Sequence, residues 1–264
     1  MKKIMMIGCG AMGGAILSGC LSKGLWTKEE VCIKAHTEES TLEKAEQYGV
    51  SAASVKDIGE AEFILLAVKP DMIPSVLKEI NPYRPKRVIS IAAAVTVAAL
   101  EAGLPKKTPV IRVMPNTPAS VGEGMTALAA GQYADGDFIE TAKEIFSALG
   151  KAAVVSERQL DEMGALSGAG PGYAFVIIDA LADAGVRAGL PRKLAIEAAA
   201  QTLYGAAKMV LETGKHPAAL RDGVTSPGGT TIAGIHAMEA RGIRAALMDA
   251  VMAALAKSDE MGRK

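Results

Sequence analysis

Neither sign of charge is in excess in this 264-residue chain, because Lys and Arg total 29 and Asp and Glu total 29. A balanced surface makes no global field to attract nucleic acid or an anionic membrane, so a small-molecule partner is expected. Cysteine is scarce. Cys9, Cys20 and Cys32 are odd in number and lack C-x-x-C spacing, which argues against a disulfide framework or a structural zinc site and fits a reducing cytoplasm. Histidine is as sparse: His36, His216 and His236 lie far apart with no zinc-ligand spacing, so no metal is expected. Long hydrophobic runs are missing too. Half the residues are hydrophobic, but Gly, Pro or charge breaks each run, and none approaches a membrane span. The N-terminal stretch superficially resembles a signal peptide, yet Gly8, Gly10, Gly13 and Gly14 interrupt the apolar region, and it reads as a first strand. No internal repeat, low-complexity tract, heptad pattern or flexible linker is evident.

The length permits two modest domains. Lys3 to Ile7 is a short apolar run, Gly8-Cys9-Gly10-Ala11-Met12-Gly13 follows it, and Ala15 to Leu25 has helical character. This is the strand, glycine turn and helix of a dinucleotide site. The first glycine makes the turn, the second admits a pyrophosphate to the backbone, and the third lets helix and strand pack closely. Further strands are expected at Val31 to Ile33, Glu62 to Val68, Arg87 to Ile91 and Val110 to Met114. Gly124 to Ala130 and Ala152 to Val155 are expected as edge strands, with helices at Asp71 to Glu79 and Asp135 to Leu149. In such sheets ligands bind beyond the carboxyl ends of the strands, so Val68-Lys69-Pro70, Ala92-Ala93 and Asn116-Thr117 should share one rim.

The second strand runs into Lys34-Ala35-His36-Thr37 with no acid at its end. An NAD site usually carries Asp or Glu there, whereas Lys34, His36 and Thr37 suit a 2′-phosphate, so NADPH is expected in preference to NADH.

After Ser156 the strand signals stop. Gln159 to Leu190, Arg192 to Leu211 and Ile243 to Lys257 are Ala-, Leu- and Met-rich at helical spacing. Gly164, Gly168, Gly170 and Gly172 are expected to admit another backbone, and thin Ala-rich faces suggest a homodimer or higher homo-oligomer. Within this half, Asp222 to Glu239 gathers polar and backbone-permissive residues. Pro227, Gly228 and Gly229 precede Thr230 and Thr231, either of which can cap a helix whose N-terminus would attract an anion.

These blocks together resemble pyrroline-5-carboxylate reductase over nearly the whole chain. The blocks that carry the resemblance are Gly8 to Gly13, Ala67-Val68-Lys69-Pro70, Asn116-Thr117-Pro118, Leu166 to Pro171 and Asp222 to Glu239. The resemblance implies an α/β fold with an N-terminal Rossmann-like doubly wound sheet, residues 1–156, followed by an all-α dimerisation and substrate domain, residues 157–264. It implies NAD(P)H-dependent reduction of 1-pyrroline-5-carboxylate to L-proline. It carries the family's phosphate loop onto Ile7, Gly8, Cys9, Gly10, Ala11 and Met12. Other cofactor contacts fall on Ala35, Ala67, Val68, Lys69, Pro70, Ile91, Ala92 and Ala93, and on Lys56, where members often have Asn. Its substrate positions fall on Glu157, Gly223, Val224, Ser226, Thr230 and Thr231.

The chemistry beside the resemblance needs a carboxylate site, a hydride donor and a contact to the ring nitrogen. Amides of Ser226 and of Gly229 to Thr231 can cradle the carboxylate, and the Thr231 hydroxyl is expected to bond the nitrogen. Threonine is too weak an acid to be the ultimate proton source. A β-hydroxyacid dehydrogenase would need a Lys in the Gly-rich helix, and Leu166 to Asp183 contains none. A nucleotide sensor would bind cofactor without turnover.

Overall fold

A computed structural model describes residues 4–262; Lys3, part of the expected first strand, lies outside them. Eight strands form one sheet: β1 Ile4–Ile7, β2 Val31–Lys34, β3 Ser51–Ala52, β4 Phe63–Leu66, β5 Val88–Ser90, β6 Val110–Met114, β7 Gly124–Ala130 and β8 Gly150–Val154. Their spatial order is β3-β2-β1-β4-β5-β6-β7-β8. The helices are α1 Ala11–Ser22, α2 Glu38–Tyr48, α3 Ile73–Ile80, α4 Val97–Ala102, α5 Gly136–Ser147, α6 Glu157–Met163, α7 Gly170–Arg187, α8 Arg192–Thr213, α9 Pro217–Gly223, α10 Thr230–Ala240 and α11 Ile243–Gly262.

The order reverses at β1, which pairs in parallel with both β2 and β4. That reversal opens the crevice in which doubly wound sheets bind ligands. Alternation along the central strands sends Met6, Ile33 and Leu65 to one face, against α1 and α5, and Met5, Cys32 and Ile64 to the other, against α3. Both faces are covered, which is why these strands read as continuous apolar runs. The outer part differs from the sequence expectation. β7 runs antiparallel to β6 and is buried between β6 and β8, so of the two expected edge strands only β8 is one.

Contacts divide the described residues into two compact units, one comprising residues up to Ala169 together with those from Ala254, the other Gly170–Ala253. In the second, Ala182 of α7 packs on Ala195 and Ala199 of α8, while Phe175, Val176, Leu211 and Met248 remain exposed. Between α6 and α7 the chain forms a π-helical turn, Gly164–Gly168. Within the single chain the Met114 side chain fills the space beside Gly164 and Gly168, and a Cβ on Gly170 or Gly172 would meet nothing within 4 Å. Counted through that turn, Glu157–Arg187 is the stretch that, among the described residues and by length and composition alone, could span a membrane. Core helices of soluble proteins pass the same test.

Candidate functional site

The carboxyl ends of β2, β1, β4 and β5 stand level. Ile7 is opposite both Lys34 and Leu66, and Leu66 is opposite Ser90. The ladder runs on into the loops through Gly8 N to Lys34 O, Ala67 N to Ile7 O and Ile91 N to Leu66 O. This brings Gly8 to Gly13, Lys34 to Thr37, Ala67 to Pro70 and Ile91 to Ala93 to one rim, although the segments lie far apart in sequence.

At the centre of the rim the glycines differ in what they face. Gly8 has φ +85°, and a Cβ there would strike the Ala67 carbonyl and Val68 Cγ1. Gly13 closes against Ala67 Cβ. A Cβ on Gly10 would meet nothing within 4 Å. Gly10 is also the N-cap of α1, and no side chain among the described residues caps that helix. Bare first-turn amides behind an open glycine form a cradle for a phosphate group, so the residues present fit a dinucleotide. Cys9 is half-buried beside it, and burial pushes its thiol pKa up, partly offset by a hydrogen bond with Tyr48 and by the charge of Lys44.

A hollow of about 460 Å³ adjoins the end of β2, lined by Ala35, His36, Thr37, Ser54 and Asp57 among others. Lys34 borders it, but its ammonium lies 3.2 Å from the Glu79 carboxylate on α3. Thr37 caps α2 in a reciprocal box with Ser40. Lys56 is exposed in a 3-10 turn, and its neighbours Val55 and Asp57, not Lys56 itself, line the hollow.

Asn116 is buried. Its amide group donates to Ser167 O at 2.9 Å and its carbonyl oxygen accepts from Met125 N at 2.9 Å, so both ends of the side chain brace the fold. Glu157 is similarly engaged, for its Oε1 accepts from Val97 N at 2.7 Å and from Arg112 Nη1 at 3.0 Å. Arg112 is absent from the sequence expectations. A charged residue inside an otherwise apolar strand, Val110–Met114, is the signal that marks it.

The other predicted residues gather in the second unit. Gly223, the last residue of α9, and Val224 lead into a loop in which Thr225 Oγ1 donates to Arg221 O and Gly229 N donates to Ser226 O. Gly228 has φ +67°, and the Ser226 hydroxyl fills the space a Cβ on Gly229 would take. Gly229, not Thr230 or Thr231, is the N-cap of α10, with no side-chain cap bond. The expectation of a threonine cap is thus corrected: both threonines lie inside the first turn, exposed, with the helix amides left bare. No residue of α10 is buried in the single chain.

No disulfide joins the three cysteines, and among the described residues no group of three or more His, Cys, Asp or Glu side chains gathers at metal-binding range.

A doubly wound sheet with an uncapped, glycine-lined helix start at its switch point, in one chain with a largely exposed apolar helical unit, defines a dinucleotide-dependent oxidoreductase architecture. Residues 3–94 match the family described as NADP oxidoreductase coenzyme F420-dependent, and residues 157–261 match pyrroline-5-carboxylate reductase dimerisation. The pyrroline-5-carboxylate reductase of Methanosarcina acetivorans is 43% identical, over 100% of this chain and 99% of that protein. Among solved structures, a pyrroline-5-carboxylate reductase from Coxiella burnetii is 35% identical with a TM-score of 0.91, over 98% of each chain. A pyrroline carboxylate reductase of Plasmodium falciparum with NADP bound is 32% identical with a TM-score of 0.88, again over 98% of each. The chain belongs to the pyrroline-5-carboxylate reductase family. The dimerisation match covers the exposed apolar helices and so accounts for side chains such as Phe175 and Leu211.

Proposed function

We propose that this protein reduces 1-pyrroline-5-carboxylate to L-proline, the last step of proline biosynthesis, as a homo-oligomer using NADPH in preference to NADH. In this reading residues 1–156 are the cofactor domain and residues 157–264 the substrate and dimerisation domain. The observation that carries it is the pair of bare helix starts, α1 behind Gly10 and α10 behind Gly229, in a chain of this family. One suits a pyrophosphate and the other a carboxylate.

The bound nicotinamide supplies the hydride. The residues of the chain bind and orient. Amides from Gly8 to Met12 hold the phosphates, and Ile91 to Ala93 with Ala67 to Pro70 form the small-residue wall for the ring. Amides of Thr230 and Thr231, with Ser226 and the Gly223-Val224 backbone, receive the substrate carboxylate. The Thr231 hydroxyl bonds the ring nitrogen and orients the imine, while solvent or a relay keeps the imine protonated. His36 and Thr37, facing a strand end without an acid, favour a 2′-phosphate; Lys34 contributes less than an unpaired lysine would, because Glu79 shares its charge.

The test is NADPH oxidation with pyrroline-5-carboxylate beside a panel of hydroxyacids. Turnover of the imine alone is expected, and cofactor binding without turnover of any substrate would make the chain a nucleotide sensor instead. Replacing Lys34 by Asp together with His36 by Ala should lower the NADPH to NADH ratio of kcat/KM. An unchanged ratio would remove the assignment of these residues.

A further inference from the structure

Arg112 lies in the middle of β6, and its side chain is 1% exposed. Such a charge is found inside a protein only when paired. Its Nη1 meets Glu157 at 3.0 Å and its Nη2 meets Asp161 at 2.6 Å. Both carboxylates sit on one face of α6, four residues apart, where they would repel each other without the guanidinium between them. The Nε has no hydrogen-bond partner among the described residues. The side chain also borders a hollow of about 290 Å³ walled by Ala94, Thr96 and the last turn of α11.

The consequence of this pairing lies one bond further on. The Glu157 oxygen held by Arg112 also accepts from the Val97 amide, the first N–H of α4. Val97 ends the loop that begins at Ile91, next to the fully buried Ser90. Inside that loop Ala94 has φ +58°, a left-handed conformation that a residue with a Cβ keeps only when its surroundings impose it. The loop is therefore pinned by the sheet at one end and by Glu157 at the other. The pin depends on a charge 45 residues from Glu157 in sequence.

We infer that Arg112 is a positioning residue: by holding Glu157 against the Val97 amide it fixes the Ile91–Thr96 loop and so the seat of the nicotinamide ring. The inference rests on the reading of this loop as the nicotinamide wall. The phosphate and adenosine contacts proposed at β1 and β2 lie outside this loop, whereas hydride transfer depends on the ring being in near-attack range. Loss of Arg112 thus lowers kcat more than it weakens cofactor binding.

The experiment compares wild type, Arg112→Met, Arg112→Lys and Val97→Pro in kcat, NADPH affinity and backbone hydrogen exchange of residues 91–97. Val97→Pro removes the donated N–H while keeping an apolar ring in place of the buried valine side chain. Proline is at home at the first position of a helix, and Thr96 before it already has the extended ψ of 157° that proline requires. Expected for Arg112→Met is a fall in kcat of about 10- to 100-fold with NADPH affinity changed by less than about threefold. Exchange at Val97 should quicken roughly tenfold, since a charge-assisted hydrogen bond is lost. Arg112→Lys should recover part of the rate, Val97→Pro should reproduce the loss, and the double variant should be no worse than the stronger single one. A kcat within about twofold of wild type in folded Arg112→Met, or in Val97→Pro if the first variant does not fold, overturns the inference. Unchanged exchange overturns it as well. A wild-type protein that does not turn over sinks the functional reading instead, and the exchange comparison still decides the brace.

Discussion

The hydroxyl of Tyr48, the last residue of α2, occupies the space that a side chain at Gly14 would need. Gly14 is not one of the three glycines of the dinucleotide motif, yet it is the point where α1 accepts the tip of α2. The same hydroxyl interacts with the Cys9 thiol, and burial, followed by Cys9, raises the tyrosine pKa. One phenol thus ties α2 to the phosphate-side loop.

Gly14→Ala should cost about 1–3 kcal/mol through overpacking. Tyr48→Phe in the same chain should restore most of it, because the overlapping atom is gone. Urea denaturation of the two single variants and the double variant checks the coupling, and strictly additive effects would refute the contact.

The first two motif glycines should separate stability from binding. Gly8→Ala places a Cβ at φ +85° against backbone, at a cost of about 1–2 kcal/mol for the conformation alone, so its Tm should fall even without cofactor. Gly10→Ala meets open space. It should leave the Tm of the free protein unchanged and weaken NADPH binding. Thermal scans with and without NADPH distinguish the two.

Thr231→Ala should leave stability within about 0.5 kcal/mol of wild type, since the residue is exposed and caps nothing. kcat/KM for the imine should fall about tenfold or more through the lost hydrogen bond, with NADPH affinity intact. Steady-state kinetics and a nucleotide titration check this, and Thr231→Ser should retain most of the rate.

Cys20 should set part of the alkaline limit. Burial pushes its thiol up from 9.0 to about 12, so above pH 9 the unfolded chain loses this proton while the folded one keeps it. The contribution is fully present below pH 9 and is lost as pH rises toward about 12, at up to about 1.4 kcal/mol per pH unit. Urea denaturation across this window should show a shallower decline for Cys20→Ala than for wild type. Identical slopes would refute it.

The central strands were legible because both faces of the sheet are covered, so Phe63–Leu66 and Val110–Met114 carry no polar alternation. Several other features were not. β3 has two residues and α4 has six, too short for a periodic signal. β7 read as an edge because its small residues, Gly124-Met125-Thr126-Ala127, gave no sign of a partner on each side. Thr230 and Thr231 looked like caps since threonine favours that position, but the extended backbone of Gly229 takes it and moves both hydroxyls into the first turn.

The sequence by itself determined the order of chemistry along the chain: a strand, a glycine turn and a helix first, an apolar helical half after, and a Pro-Gly-Gly-Thr-Thr helix start within it. These are local properties, set by backbone freedom and side-chain period over a few residues. The tertiary structure alone decided which side chains act together. Arg112 meets Glu157 across 45 residues, and Asn116 meets Ser167 across 51. Such pairs form only once strand register has brought their backbones together, and a charge or an amide in the sequence does not name its partner.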